Sequence, residues 1–195
     1  MKGVYIFLAD GFEDIEALGT LDVLRRGGVE ASLVSVSDEP FVVSSHRVAV
    51  GVDYTFEELL DSADLANASE EDVMIFPGGM PGSKTLASNK KLMELMKKHY
   101  AAGGTVAAIC AAPGLVLSQL GGLDEHIMTC FDGFEAGLTD AGAAFVPKAA
   151  YTSERIITGR SAGYCIPFGL EILRKLKGDE AAEKVRSAML LPVCE

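Results

Sequence analysis

Short apolar runs alternate along this chain with longer stretches whose apolar residues recur at helical spacing. Residues 3–8 form an apolar strand. Asp10-Gly11 then turns the chain into a helix over about residues 13–26, where Ile15, Leu18 and Leu21 share one side and Gly27-Gly28 close the end. Residues 30–36 alternate as a second strand. Residues 41–43 and 48–52 predict a short antiparallel pair around the polar tip Ser44-Ser45-His46-Arg47. Residues 54–60 predict a short helix, and residues 61–72 an acidic loop. Residues 73–76 read as a buried strand running into Pro77-Gly78-Gly79. A helix over 89–102, closed by Gly103-Gly104, precedes a third continuous apolar strand at 105–109. Beyond it the pattern predicts a strand at 127–130, a helix over 134–141, and a hairpin of 149–152 with 155–158 about Ser153-Glu154. After a loop at 159–163, helices follow at 165–176 and 179–190, the first with Pro167 in its opening turn and the second capped by Asp179. Strands separated by helices at this spacing predict one α/β domain over 1–195, built on a doubly wound, mostly parallel sheet.

Composition narrows the class without naming a function. The chain is 195 residues long, with 49% hydrophobic and 23% charged residues, as in an ordinary globular domain. A net charge of −11, with no basic stripe to offset it, argues against a nucleic-acid or anionic-membrane partner. No apolar run reaches the length of a membrane span, and the apolar start is cut by Asp10 before it could act as a signal peptide. Four cysteines and three histidines show no metal-ligand spacing. The expectation is a reduced, cytoplasmic protein with no metal and no cofactor.

The chemistry gathers where strands end. The stretch Ala107-Ala108-Ile109-Cys110-Ala111-Ala112-Pro113-Gly114 reads as a strand end, a reactive position and a helix start, since Pro113 fits a helix only in its first turn. A cysteine on such a corner sits where unpaired N–H groups and a helix dipole favour a thiolate, which predicts a pKa below about 8.5. This is the layout of a nucleophile elbow. The same stretch also fits a buried apolar cysteine. Two other strand ends lie at the same edge, where parallel sheets bind ligands. Gly78-Gly79 offers backbone N–H groups without side chains, either to a ligand oxygen or only to a tight turn. Glu16 lies on the inner side of the first helix, able to exchange a proton with a neighbouring thiol. His99, after Lys97-Lys98, is expected as a cation at a helix end.

Three segments, FLADGFEDIEAL (7–18), IFPGGMPG (75–82) and AAICAAPG (107–114), together with ITGRSAG (157–163), resemble the ThiJ/PfpI superfamily, nearest its deglycase branch. The resemblance implies a flavodoxin-like sandwich that assembles as a homodimer. It implies Cys110 as nucleophile and Glu16 as a protonated acid hydrogen-bonded to it. It further implies Gly79 and Ala111 as backbone donors and Arg160 as a pocket-lining residue. Helix one, with Gly19, is the expected dimer contact. Two departures stand out: Cys130 occupies the position of a histidine in that branch, and Ala111 replaces the histidine that follows the nucleophile in the protease branch. Cys130 reads either as a buried small residue or as a second thiol able to pair with an oxidised Cys110.

Three functions follow from the resemblance. The first is a stress-protective enzyme acting on a small-molecule aldehyde or glycated substrate. The second is a redox sensor or chaperone-like protein oxidised at Cys110. The third is an amidase or peptidase, disfavoured because no adjacent histidine is present to protonate a leaving amine.

Overall fold

The computed structural model describes residues 1–62, 64–65 and 67–191, so Cys194 lies outside the described residues. The chain runs β1 (Val4–Leu8), α1 (Asp14–Arg26), β2 (Ala31–Ser35), β3 (Phe41–Val43), β4 (Ala49–Gly51), β5 (Tyr54–Thr55), α2 (Phe56–Ser62) and β6 (Val73–Phe76). It continues with α3 (Gly82–Ser88), α4 (Lys90–Ala101), β7 (Thr105–Ile109), α5 (Ala112–Leu115), β8 (Ile127–Met128), α6 (Glu135–Asp140) and β9 (Ala144–Phe145). The last elements are β10 (Ala150–Ser153), β11 (Ile156–Gly159) and α7 (Cys165–Ala188).

Seven strands form the central sheet in the order β10-β11-β7-β6-β1-β2-β5. All neighbours pair in parallel except β10, which returns antiparallel on β11. The central strands β6, β7 and β11 are buried at every position, because helices cover both faces. Alternate side chains feed two cores. Phe7, Met74, Phe76, Val106 and Ala108 pack with α2, α3, α4 and α5. Ile6, Leu8, Ile75, Ala107 and Ile109 pack with α1 and α7 on the other face. This is the doubly wound sandwich that the alternating pattern predicts. Among the described residues no helix is long and apolar enough to cross a membrane.

Several elements differ in detail. Residues 54 and 55 pair with β2 before α2 begins, so the expected helix starts two residues late. The helix that starts after Cys110 is a single turn, followed by a 3-10 turn at Leu117–Leu120. The strand expected at 127–130 stops at Met128, because Thr129 turns away to donate its N–H to Thr158 Oγ1 at 3.0 Å. Gly178, at φ +83°, breaks α7 into the two helices foreseen, and the Asp179 carboxylate reaches back to Arg174 across the break at 2.8 Å.

His99 is not the helix-end cation expected. It is 1% exposed, and its Nε2 donates to the carbonyls of Asp72 (3.1 Å) and Thr105 (3.0 Å). Burial, then the nearby N-terminal amine, lowers its pKa, so the ring is a neutral strut at the end of the sheet away from Cys110.

Candidate active site

The site assembles from three strand ends at one edge of the sheet. Cys110 follows β7 with φ +65°, a left-handed conformation that costs a non-glycine residue about 1–3 kcal/mol. Its neighbours enforce it. The Cys110 N–H donates to Gly159 O (3.0 Å) at the end of β11, and its carbonyl accepts from Phe131 N–H (2.8 Å). With both backbone groups pinned, the half-buried thiol projects from the elbow toward α1. The N–H groups of Ala111 and Gly79 donate to its sulfur.

Glu16 comes from the first turn of α1 and is 1% exposed. Its Oε2 accepts the Gly78 N–H at 2.8 Å, and its carboxyl hydrogen-bonds the Cys110 thiol. Its Oε1 is buried and has no hydrogen-bond partner among the described residues. The glycine pair is sterically required. A Cβ on Gly78 would lie 2.5 Å from Cys110 Cβ and 2.6 Å from Glu16 Oε2; one on Gly79, at φ +89°, would lie 2.4 Å from Glu13 N.

Two expectations change here. The Gly78 N–H is committed to Glu16, which leaves Gly79 and Ala111 as the donors at the reacting atom. The thiol pKa is also not lowered: burial first, then the Glu16 charge and its hydrogen bond, push Cys110 up to about 12 against the pull of the Ala111 and Gly79 amides. The one-turn helix α5 has too few aligned peptides to supply the expected dipole. Burial likewise pushes Glu16 up to about 7, despite the Cys110 and Gly78 hydrogen bonds that stabilise its anion. Thiol and carboxyl therefore behave as one unit holding a single proton between these limits. Moving that proton from sulfur to Glu16 creates the thiolate with no change in net charge.

The remaining candidates sit around this pair. The Arg160 guanidinium is mostly covered and pairs with Asp132, beside the Phe131 segment that holds the Cys110 carbonyl. Cys130 is 0% exposed and belongs to the core on the α5 side, whereas Cys110 packs against the α1–α7 side. The two thiols therefore face different layers, and Cys130 takes the reading of a buried small residue. Gly19, expected at a subunit contact, faces α7 of its own chain, where a Cβ would lie 3.0 Å from Cys165 Sγ. None of the three histidines bonds the pair: His46 contacts Asp14, His99 lies at the far end of the sheet, and His126 bonds Ser153 Oγ at 3.1 Å. Sequence reading missed Glu13, whose Oε2 caps α1 at the Glu16 N–H (2.8 Å); the spacing Glu13-x-x-Glu16 at a helix start was the available signal.

A parallel α/β sandwich with a strained cysteine at a strand-to-helix corner and a buried acid beside it defines a class of cysteine-elbow proteins. The comparisons make the class specific. The DJ-1/PfpI family model matches residues 2–175, and this chain belongs to that family. Protein DJ-1 homolog A of Arabidopsis thaliana is 34% identical over 190 residues, covering 97% of this chain and 47% of that protein, so the chain spans about half the length of that relative. The glutathione-independent glyoxalase DJR-1.2 of Caenorhabditis elegans is 31% identical over 182 residues, covering 93% of this chain and 90% of that protein. The structure of oxidized Toxoplasma gondii DJ-1 superposes with a TM-score of 0.86 at 28% identity, covering 97% of this chain and 98% of that one.

The shared proton gives a definite pH dependence. The thiolate form needs the pair to hold one proton, so alkylation of Cys110 by iodoacetamide should rise to a plateau with a midpoint near pH 7 and show no further step near pH 8.5. Glu16→Gln removes the proton acceptor and should move the midpoint to alkaline pH. Peptide mass spectrometry across pH 5–9 reads both; a wild-type midpoint near 8.5, as for a free thiol, would show that Glu16 and Cys110 do not share a proton.

Proposed function

We propose that this protein is a stress-protective, cysteine-dependent enzyme that converts reactive carbonyls to hydroxy acids, in the manner of a glyoxalase or deglycase. The observation that carries the reading is the buried Glu16 carboxyl hydrogen-bonded to the Cys110 thiol. With methylglyoxal, Glu16 draws the thiol proton as sulfur attacks the aldehyde carbon. A C–S bond forms, and the carbonyl oxygen takes the proton back from Glu16. Glu16, a carboxylate again, can then remove the proton on that carbon and return it to the adjacent one, leaving a thioester of lactate. Water hydrolyses the thioester and frees the thiol. Methylglyoxal plus water gives lactate, so neither a cofactor nor an oxidant is consumed. Amide donors at Gly79 and Ala111 suit the oxygen charge that develops beside the sulfur. With all three imidazoles engaged elsewhere, amide hydrolysis has no imidazole to protonate its leaving amine, which disfavours it.

Purified protein should produce lactate from methylglyoxal over many turnovers without glutathione. Cys110→Ser should lower the rate at least about 100-fold, since a serine is a far weaker nucleophile at this pH. Turnover that survives in Cys110→Ser, or a wild type that stops after one equivalent, would overturn the reading.

A second reading, a redox sensor, is favoured by the same amides, which could hold the oxygens of an oxidised sulfur by charge-assisted bonds. Mild peroxide should add two oxygens to Cys110 ahead of the other cysteines, with no Cys110–Cys130 bridge because the two face different layers. A dithiothreitol-reversible bridge, or equal oxidation of every cysteine by peptide mass spectrometry, contradicts this.

Both readings place the protein in a reducing cytoplasm as a homodimer. Free thiols at Cys110, Cys130 and Cys165 suit that compartment. The exposed apolar Ile15 on α1, and Phe41 and Val48 near the β3–β4 hairpin, suit a subunit contact. Sedimentation at micromolar concentration should give twice the mass of the chain; a monomer would remove the dimer from this scheme.

A further inference from the structure

Glu13 occupies the α1 cap in an arrangement that departs from the usual exchange of bonds at a helix start. In a capping box, the cap side chain accepts the N–H three residues on, and the acid at that position reaches back to the cap N–H. Here only the first half is present. Glu13 Oε2 accepts the Glu16 N–H at 2.8 Å, but the Glu16 carboxyl turns inward to Gly78 N–H and Cys110. The Glu13 N–H donates instead to the Gly78 carbonyl at 3.0 Å.

That substitution orients the site. Across a trans peptide the C=O and the following N–H point in opposite directions. Tying Gly78 O to Glu13 therefore turns Gly79 N–H the other way, to the sulfur it donates to. Glu13 thus holds Glu16 through one bond and the Gly78–Gly79 peptide through the other. Its carboxylate is also a negative charge one helical turn from Glu16, and like charge disfavours ionisation of Glu16.

We propose that Glu13 is the positioning residue of the Cys110–Glu16 pair, fixing Glu16 and the Gly78–Gly79 peptide against the sulfur and, by its charge, biasing the shared proton toward Glu16. This rests on the shared-proton reading of the site but not on any particular substrate. The other titratable groups around Glu16 are Cys110 after β7 and Cys165 at the start of α7, and Glu13 itself faces Asp14 and His46. None of these is altered by the test.

The test is the alkylation rate of Cys110 against pH, followed by peptide mass spectrometry, in Glu13→Gln and Glu13→Asp. The amide of Glu13→Gln can still accept the Glu16 N–H but carries no charge. A less basic Glu16 yields more of the shared proton to sulfur, so the plateau should fall about threefold while its midpoint moves ~0.5 pH unit to acid; the two changes are linked because one equilibrium sets both. The acid limb should superpose on the wild type. Glu13→Asp keeps both charge and cap and should restore the plateau. Thermal melting separates helix capping from this effect, since a cap alone alters melting temperature and leaves the profile unchanged. A Glu13→Gln profile that superposes on the wild type throughout, or a Glu13→Asp plateau as low as that of Glu13→Gln, overturns the proposal. Because the readout is alkylation, it holds or fails independently of lactate formation: loss of turnover with an intact Glu13 effect would reject the carbonyl chemistry alone.

Discussion

One proton shared between a buried carboxyl and a buried thiol is the constraint on which the site depends. Either group alone would be driven to its neutral form by burial, and a neutral thiol is a poor nucleophile. Placed together, they keep one proton and one charge, and the charge can pass to sulfur without leaving the site. The backbone around the pair serves that exchange. Gly78 N–H steadies one carboxyl oxygen, Gly79 and Ala111 N–H await charge on sulfur, and the other carboxyl oxygen is buried without a partner among the described residues.

The fold supports this arrangement by rigid means. Cys110 holds a left-handed backbone conformation only because Gly159 O and Phe131 N–H occupy its N–H and C=O. Those partners come from the next strand and from the segment after β8, so the elbow is strained locally and secured by tertiary structure. The same logic holds at Gly78 and Gly79, where any side chain would collide with Cys110, Glu16 or the cap of α1. Helix α1 is therefore part of the site as much as of the scaffold: its first turn carries the acid and its cap residue holds the glycine loop.

Much of this was legible in the residues. The alternation of apolar runs and helical stretches carried the parallel sandwich. The small residues around Cys110, with Pro113 just beyond, marked the corner where a nucleophile could stand. Gly78-Gly79 and Glu16 were recognisable as the other strand-end chemistry, and the absence of a histidine beside Cys110 could be read directly. These features are local: they depend on periodicity, on backbone freedom and on which residues a helix start tolerates.

What tertiary structure decided was the electrostatics and the direction of each group. A helix start after Cys110 predicted a lowered thiol pKa, but α5 is one turn long and burial outweighs it. Gly78 read as a donor to substrate, yet its N–H belongs to Glu16. His99 carried the signature of a helix-end cation and proved to be a neutral strut, because burial and the nearby N-terminal amine outweigh the two carbonyls its ring donates to. Cys130 could be related to the site by resemblance but not placed on a face, and it packs in the α5-side core while Cys110 packs against the α1–α7 side. Local pattern names the residues that can do chemistry; burial and the peptide planes facing them come from segments distant in the chain, and these determine which residue holds the proton.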